Sequence, residues 1–168
     1  IESQQEYDDM LEELIDRFGE PTKAVLNLLA IARLKAVAHQ GYITEIKQLQ
    51  KEMFRRSHFP RRALDPQQAH FEFIRGNAEL VPLEQAEGRI AVEGALPYPP
   101  GVLCCVPGEV WGNSVLQYFL ALEEGINRCP GFAPELQGVY IQKDPDGRKR
   151  AYGYVLTKER TAELGIEG

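Results

Sequence analysis

Between Glu93 and Gly112 the sequence Glu-Gly-Ala-Leu-Pro-Tyr-Pro-Pro-Gly-Val-Leu-Cys-Cys-Val-Pro-Gly-Glu-Val-Trp-Gly sets four prolines and four glycines in twenty positions. Each proline holds φ near −65° and removes a backbone donor, while each glycine opens φ values that other residues avoid. So dense a mixture specifies one backbone path. The segment is expected to form a rigid loop, one short apolar strand over Val102 to Val106 and a tight turn. Tyr98, between Pro97 and Pro99, is held extended, because a residue before proline is driven from the helical region.

The chain around this segment has 168 residues, 43% hydrophobic and 26% charged, enough for one sizeable core or two small ones. Its net charge of −6 works against non-specific nucleic-acid binding, which needs clustered Lys and Arg without compensating acid. Arg55-Arg56 with Arg61-Arg62, and Arg148-Lys149-Arg150, are local exceptions that read as solvated surface or as sites for a partner's carboxylates. No apolar run approaches the roughly 20 residues of a membrane span, and Ile1 to Tyr7 has no signal-peptide core, so a cytoplasmic protein is expected. The absence of an initiator Met is expected of a fragment. The cysteines agree with a reducing compartment: Cys104 and Cys105 are adjacent, Cys129 stands alone, and no C-x-x-C spacing marks a metal site.

Tyr7, Met10, Leu11, Leu14, Ile15 and Phe18 recur at helical spacing, so about Gln4 to Phe18 should be an amphipathic helix ended by Gly19. Pro21 opens a second helix to about His39, apolar over more than one stripe and therefore expected to pack on two sides. The two form a helical hairpin. Tyr42 to Ile46 alternates like a short strand, and a third helix is expected over Lys47 to Arg56. Ser57-His-Phe-Pro-Arg-Arg62 then breaks the pattern and reads as a boundary. Asp65-Pro66 starts a helix that Gly76 ends.

Ala78 to Pro82 or Leu83, Arg89 to Val92 and Val102 to Val106 read as strands, and Gly112 or Asn113 opens a helix through Glu123. Val139 to Gln142 and Ala151 to Leu156 alternate about Asp144-Pro-Asp-Gly147, a strong hairpin turn. The expected fold class is α+β: an N-terminal helical hairpin with a short strand over residues 1–47, joined to a small mixed domain with antiparallel strands over 48–168.

Glu93 and Glu109 bracket the Pro-rich loop, and two carboxylates brought together could do acid-base work if burial separated their pKa values. The plainer reading is structural, with Glu93 accepting from glycine-rich backbone, Glu109 near a helix N-terminus and Arg89 pairing with either. His39, His58 and His70 lie at unrelated spacings without a metal-binding pattern, and Ser57-His58 lacks a nucleophile elbow. Trp111, Tyr118 and Phe119 read as core or interface rather than as a base-stacking platform.

The Pro-rich segment closely resembles the C-terminal domain of the bacterial ornithine/lysine/arginine decarboxylases, the ornithine enzymes above all. The resemblance runs from Leu49-Gln-Lys-Glu-Met-Phe-Arg-Arg-Ser-His-Phe-Pro60 through Gly88-Arg-Ile-Ala-Val-Glu93 and Tyr118-Phe-Leu-Ala-Leu-Glu-Glu-Gly125. It continues over Pro130-Gly-Phe-Ala-Pro-Glu-Leu-Gln-Gly138 and Asp146-Gly-Arg-Lys-Arg-Ala-Tyr-Gly-Tyr154. It implies a non-catalytic domain, of about residues 49–156, that packs on the cofactor-binding domains of an oligomeric decarboxylase and helps shape the active-site entrance.

The pyridoxal phosphate of that family is bound, on this resemblance, by a lysine following a histidine in a separate domain. None of the seven lysines here follows one, so no cofactor is expected in this chain. The residues expected to fix the loop and face a partner domain are Arg89, Glu93, Pro97, Tyr98, Pro99, Pro100, Gly101, Pro107, Gly108, Glu109 and Trp111.

The first quarter to third resembles something else. Glu6-Tyr-Asp-Asp-Met-Leu-Glu-Glu-Leu-Ile-Asp-Arg-Phe-Gly-Glu-Pro21, Ala24-Val-Leu-Asn-Leu-Leu-Ala-Ile-Ala-Arg-Leu-Lys-Ala-Val-Ala-His39 and Tyr42-Ile-Thr-Glu-Ile-Lys47 are similar to the start of the C-terminal domain of the transcription-repair coupling factor, with Asp-Arg-Phe-Gly as the turn. That likeness implies a regulatory interaction domain of DNA repair. The two resemblances meet near Ile46 to Leu49, an order that a chimera, a designed sequence or a misassembled reading frame would also produce.

Overall fold

The computed structural model of the chain describes residues 4–98, 101–129 and 131–166; Pro99 and Pro100, and the side chain of His39, lie outside the described residues. Two compact units divide the chain, Ile1–Glu45 and Ile46–Gly168. The fold class is α+β, with helices in the first unit and helices with antiparallel sheet in the second.

The first unit is a hairpin of α1 (Gln4–Phe18) and the start of α2 (Lys23–Met53). Tyr7, Leu11 and Leu14 are half-buried on one side of α1. Gly19, at φ +76°, ends the helix, and its N–H donates to the Ile15 carbonyl at 2.9 Å. On α2 the inward residues are Val25, Leu29, Ala32 and Ala36, spaced for one helical stripe, with Leu29 buried. The Arg33 guanidinium lies 5.6 Å from the centre of the Tyr7 ring, a cation–π contact.

Two expectations are corrected here. Tyr42 to Ile46 is helix rather than strand, and the helix expected to begin at Lys47 is the continuation of α2. Tyr42, Ile46, Leu49 and Met53 recur at i, i+4, i+7 and i+11, so five residues that alternate also satisfy a longer helical period. Among the described residues no strand pairs with this segment, and the helix satisfies its backbone donors and acceptors. The meeting point of the two resemblances therefore falls inside a continuous helix.

In the second unit Met53 is fully buried, and Ile46 and Leu49 pack against the same core. Residues 56–58 form a single 3₁₀ turn, after which Ser57 to Arg62 proves to be a fixed strap rather than a boundary. The Val110 N–H donates to the Arg61 carbonyl at 2.9 Å, and the Ala63 and Leu64 N–H groups donate to the Gly108 carbonyl at 2.8 and 3.0 Å. Helix α3 (Pro66–Ile74) starts and stops where Asp65-Pro66 and Gly76 place it, and the Gln68 side chain accepts from the Asp65 N–H at 3.3 Å.

Strand β1 (Ala78–Pro82) leads to β2 (Leu96–Tyr98), α4 (Asn113–Arg128), β3 (Glu135–Gln137), β4 (Tyr140–Lys143), β5 (Lys149–Leu156) and α5 (Lys158–Glu163). The main sheet has the order β1-β5-β4, antiparallel throughout, with Leu80 opposite Tyr154 and Tyr140 opposite Tyr152. Its β4–β5 turn is the expected one: the Gly147 N–H donates to the Asp144 carbonyl at 2.8 Å, and Gly147 has φ +88°. Helix α4 runs five residues beyond Glu123 and lays Val115, Leu116, Phe119 and Leu122 into the core. Trp111 meets Phe119 edge-on at 5.7 Å, and Ala151, Val155, Leu83 and Cys105 close the space around them. Truncating a buried aromatic such as Phe119 costs about 3–5 kcal/mol in cores of this kind.

The strands expected at Arg89 to Val92 and at Val102 to Val106 are single bridges instead, Ile90 with Val110, Ala91 with Val155 and Ala95 with Cys105. Proline on both sides of the second segment leaves too few donors for a ladder. The neighbouring residues form a regular pairing that the sequence did not announce, β2 with β3, with Pro97 opposite Leu136. Pro97 is tolerated there because a two-stranded ribbon has a free edge.

Candidate functional site

The Pro-rich segment folds back on itself. The Ala91 N–H donates to the Glu109 carbonyl at 2.8 Å, the Gly108 N–H to Ala91 at 2.7 Å, the Trp111 N–H to Arg89 at 2.8 Å and the Ala95 N–H to Cys105 at 2.9 Å. Gly108 sits where this hairpin-like fold crosses the 61–64 strap. Its φ is +91°, and a Cβ there would collide with the Leu64 carbonyl oxygen, so only glycine fits. Gly101, at φ +75°, lies against the Tyr98 ring, and its N–H donates to the Pro97 carbonyl at 3.0 Å. Pro97 and Gly108 are buried and Pro107 half-buried, whereas Tyr98, Val102 and Leu103 stand exposed on the outer edge.

The two carboxylates have separate partners. Tyr140 Oη donates to Glu93 at 3.0 and 2.9 Å from its two oxygens, joining the loop to β4 rather than to glycine-rich backbone as expected. Partial burial and the Glu93 carboxylate push the Tyr140 phenol up to about 12. Glu109 Oε2 accepts from the Val106 N–H at 2.8 Å and so closes the turn around Pro107 and Gly108. Arg89 pairs with neither: its guanidinium bonds to Glu79 and donates to the Leu156 carbonyl at 2.7 Å, holding the segment to β1 and β5. Trp111 is 2% exposed, so it anchors the segment from within the core, and its indole N–H has no partner.

Two buried carboxylates were not foreseen. Glu72 on α3 accepts from Arg160 Nε and Nη2 at 2.8 and 3.0 Å and from Arg75 and Asn77. The Arg160 bonds come first among the causes that bring its carboxyl down to about 2, against the desolvation that opposes them. Glu123 on α4 is 3% exposed; its Oε2 accepts from the Ala151 N–H at 2.8 Å, and Arg148 is 3.7 Å away. Burial pushes its carboxyl up despite that bond. The available signal was positional: Glu123 follows Phe119 by four residues and Glu72 follows Ala69 by three, so each continues an inward stripe.

His58 Nδ1 lies 3.0 Å from Ser114 Oγ and 3.1 Å from the Glu52 carbonyl oxygen. A carbonyl only accepts, so the arrangement assigns the proton to Nδ1. The ring therefore cannot take the Ser114 proton at that atom, and the contact pins the 56–58 turn to the start of α4. Cys104 and Cys105 are buried, and burial pushes the Cys104 thiol up to about 11 and Cys105 up as well, which makes both poor nucleophiles. Among the described residues no group of three or more His, Cys, Asp or Glu is placed to hold a metal ion, and no helix is long and apolar enough to cross a membrane. A shallow pocket of about 240 Å³ lies beside Arg89, Ile90, Lys158, Thr161 and Ile166.

The model of the Orn/Lys/Arg decarboxylase C-terminal domain matches residues 47–157, two thirds of the chain and the whole of the Pro-rich segment. The chain belongs to this decarboxylase family. Ornithine decarboxylase of Haemophilus influenzae is 62% identical over 128 residues, covering 76% of this chain and 18% of that protein. Inducible ornithine decarboxylase of Escherichia coli K12 is 66% identical over 118 residues, covering 70% and 16%. The chain thus spans less than a fifth of the length of these curated relatives.

Among solved decarboxylase structures, the constitutive lysine decarboxylase of E. coli superposes with a TM-score of 0.61 at 25% identity over 92% of this chain and 22% of that one. Lysine decarboxylase of Francisella novicida gives 0.60 at 26% identity, over 73% and 17%. A second family model, the TRCF domain, matches residues 1–69, which carries that likeness past Lys47 and across the first residues of the decarboxylase domain.

Proposed function

We propose that this chain supplies the C-terminal domain of an ornithine decarboxylase, in which the Pro-rich segment contacts the remaining domains, borders the active-site entrance and supports assembly of the oligomer. The observation that carries this reading is a hydrogen-bonded loop with buried residues on one side and an exposed apolar edge on the other. Pro97, Gly108 and Trp111 are buried, while Tyr98, Val102 and Leu103 are exposed. A loop ordered before contact loses little entropy when a partner covers it. Its family membership and the ornithine enzymes among its relatives support the substrate class.

Pyridoxal phosphate, which such an enzyme uses for decarboxylation, belongs on this reading to the part of the protein outside this chain. The residues present do not fit it: all seven lysines are exposed, none follows a histidine, and the pocket beside Lys158 is lined by no carboxylate that could pair with a pyridinium nitrogen. Soluble and cytoplasmic placement follows from the same reading.

In an intact ornithine decarboxylase carrying this domain, Tyr98→Ala or Glu93→Gln lowers kcat/KM or weakens the oligomer while leaving the melting temperature of the domain within a few degrees. Normal kinetics and normal oligomeric state in both variants would remove the role of the loop. A second reading rests on the TRCF match over residues 1–69: a regulatory interaction domain of a transcription-repair coupling factor. The helical hairpin supports it, but the match covers the smaller part of the chain. An artificial fusion with neither function is distinguished by the reading frame upstream of Ile1, which in a natural protein encodes a lysine-bearing cofactor domain or a helicase motor.

A further inference from the structure

The strap between α2 and α3 is strongly cationic in an acidic chain. Residues 54–62 read Phe-Arg-Arg-Ser-His-Phe-Pro-Arg-Arg, four arginines with no acid among them, in a chain of net charge −6. All four arginines are exposed, and so are Phe54 at 44% and Phe59 at 52%. Each arginine that follows in the same unit pairs with a carboxylate inside it, as Arg89 does with Glu79, Arg150 with Glu84 and Arg160 with Glu72. The strap differs. Among the described residues Arg55 and Arg56 have no carboxylate partner, and Arg62 has an exposed contact of 3.5 Å with Asp65. The backbone beneath them is nevertheless held: the Arg55 N–H donates to the Glu52 carbonyl at 3.0 Å and the His58 N–H to the Arg55 carbonyl at 2.8 Å. The Val110 N–H, donating to the Arg61 carbonyl at 2.9 Å, joins the strap to the Pro-rich segment. Arginine and aromatic side chains are the types enriched where proteins meet, and lysine and glutamate are depleted there.

We propose that this strap seats the decarboxylase domain that precedes residue 47: an acidic surface of that domain covers Phe54 and Phe59 with an apolar centre, and its carboxylates pair with Arg55, Arg56 and Arg62. This rests on the reading of the chain as the C-terminal domain of an ornithine decarboxylase. The matched segment begins at residue 47 and makes up 18% and 16% of the two ornithine decarboxylases. In a C-terminal domain the rest of the enzyme lies before that segment, so it enters along residues 47–53, directly ahead of the strap. Seven helical residues span about 10 Å. Charge selects a protein surface as the occupant over nucleic acid, because 25 acids against 19 cations repel a phosphate backbone. A guanidinium fork matches the two oxygens of a carboxylate, and a strap whose backbone is already fixed loses little freedom when its side chains pair.

Arginine-specific labelling with phenylglyoxal, read peptide by peptide by mass spectrometry, tests it in an intact ornithine decarboxylase carrying this domain. Arg55 and Arg56 should react about tenfold more slowly there than in this chain alone. Arg55→Glu with Arg56→Glu should leave the melting temperature of this chain unchanged, since neither side chain has a partner in it, and lower that of the intact enzyme. Arg55→Gln with Arg56→Gln should lower the enzyme's less, because only reversal adds repulsion from facing carboxylates. Equal labelling in enzyme and chain would overturn the proposal, as would equal effects of the two pairs of substitutions. Slower labelling of this chain on adding duplex DNA, with free labelling in the enzyme, would also overturn it and assign the strap to nucleic acid. The role of the Pro-rich segment is read separately: Tyr98→Ala lowering kcat/KM in an enzyme whose Arg55 and Arg56 label freely would leave that role standing and remove this one.

Discussion

Glu72 and Arg160, 88 positions apart in sequence, form a two-point ion pair with Nε and Nη2 at 2.8 and 3.0 Å from the two carboxylate oxygens, tying α3 to α5. The carboxylate is 7% exposed and the guanidinium 28%, so the pair is shielded on one side only. Removing the acid by Glu72→Ala should cost about 1.5–3 kcal/mol, the range for hydrogen bonds to charged groups.

The same residue predicts an acid dependence, and Glu123 predicts the opposite one. The folded Glu72 carboxyl lies at about 2 against an ordinary 4.5, so its contribution is present above about 4.5 and is lost as pH falls toward 2. Glu123 is raised in the folded chain, so its contribution is present below the ordinary value and is lost as pH rises through the folded one. Thermal melts from pH 2 to 7 should show Glu72→Gln flattening the acid loss, and Glu123→Gln flattening the loss on the neutral side. Parallel curves for both variants and the parent would contradict this assignment.

Tyr140 offers a spectroscopic handle on the loop. Burial pushes the Tyr118 and Tyr140 phenols up to about 12, and the Glu93 carboxylate adds to the push on the second. Glu93→Gln removes a negative charge from one phenol only, so ultraviolet titration should show the Tyr140 phenol move down part of the way, its burial being kept, while the Tyr118 phenol stays. Tyr140→Phe should cost about 1 kcal/mol, the net worth of such a bond.

Gly108 tests the crossing of loop and strap. Gly108→Ala requires a side chain at φ +91° against the Leu64 carbonyl and should cost at least about 1–3 kcal/mol. Gly112→Ala is the control: its φ of 164° is extended backbone, and beyond its chain neighbours no atom lies within 4 Å of where a Cβ would stand. Gly112 is the N-cap of α4, where alanine is the poorer residue, so that substitution should cost about 0.5–1 kcal/mol, less than Gly108→Ala.

Local punctuation made part of this fold legible. Asp65-Pro66 with Gly76 bounded α3, Asp144 to Gly147 placed the β4–β5 turn, and Gly19 divided the hairpin, because each acts through the backbone of its own few residues. What stayed hidden depends on distant partners. Leu96 to Tyr98 is a strand only because Glu135 to Gln137 lies beside it, and Glu93 finds Tyr140 across 47 positions. Tyr42 to Ile46 misled because five alternating residues fit both periods, and the helix wins where no strand is at hand. At the loop, the tight turn at Pro107-Gly108 was legible from its residue types; the choice of buried anchors, Pro97, Gly108 and Trp111, and exposed edge, Tyr98, Val102 and Leu103, needed the packing.

The central claim, that this chain is a working decarboxylase C-terminal domain, is tested most directly by exchanging it into a relative. Residues 47–157 would replace the matching segment of the Haemophilus influenzae ornithine decarboxylase, and kcat/KM and oligomeric state would be measured together. The account predicts an enzyme that assembles and decarboxylates ornithine within about tenfold of its parent, a loss of no more than about 1.4 kcal/mol in transition-state stabilisation. A hybrid that folds, as judged by an unchanged far-ultraviolet spectrum and protease resistance, yet neither assembles nor turns over ornithine would contradict it.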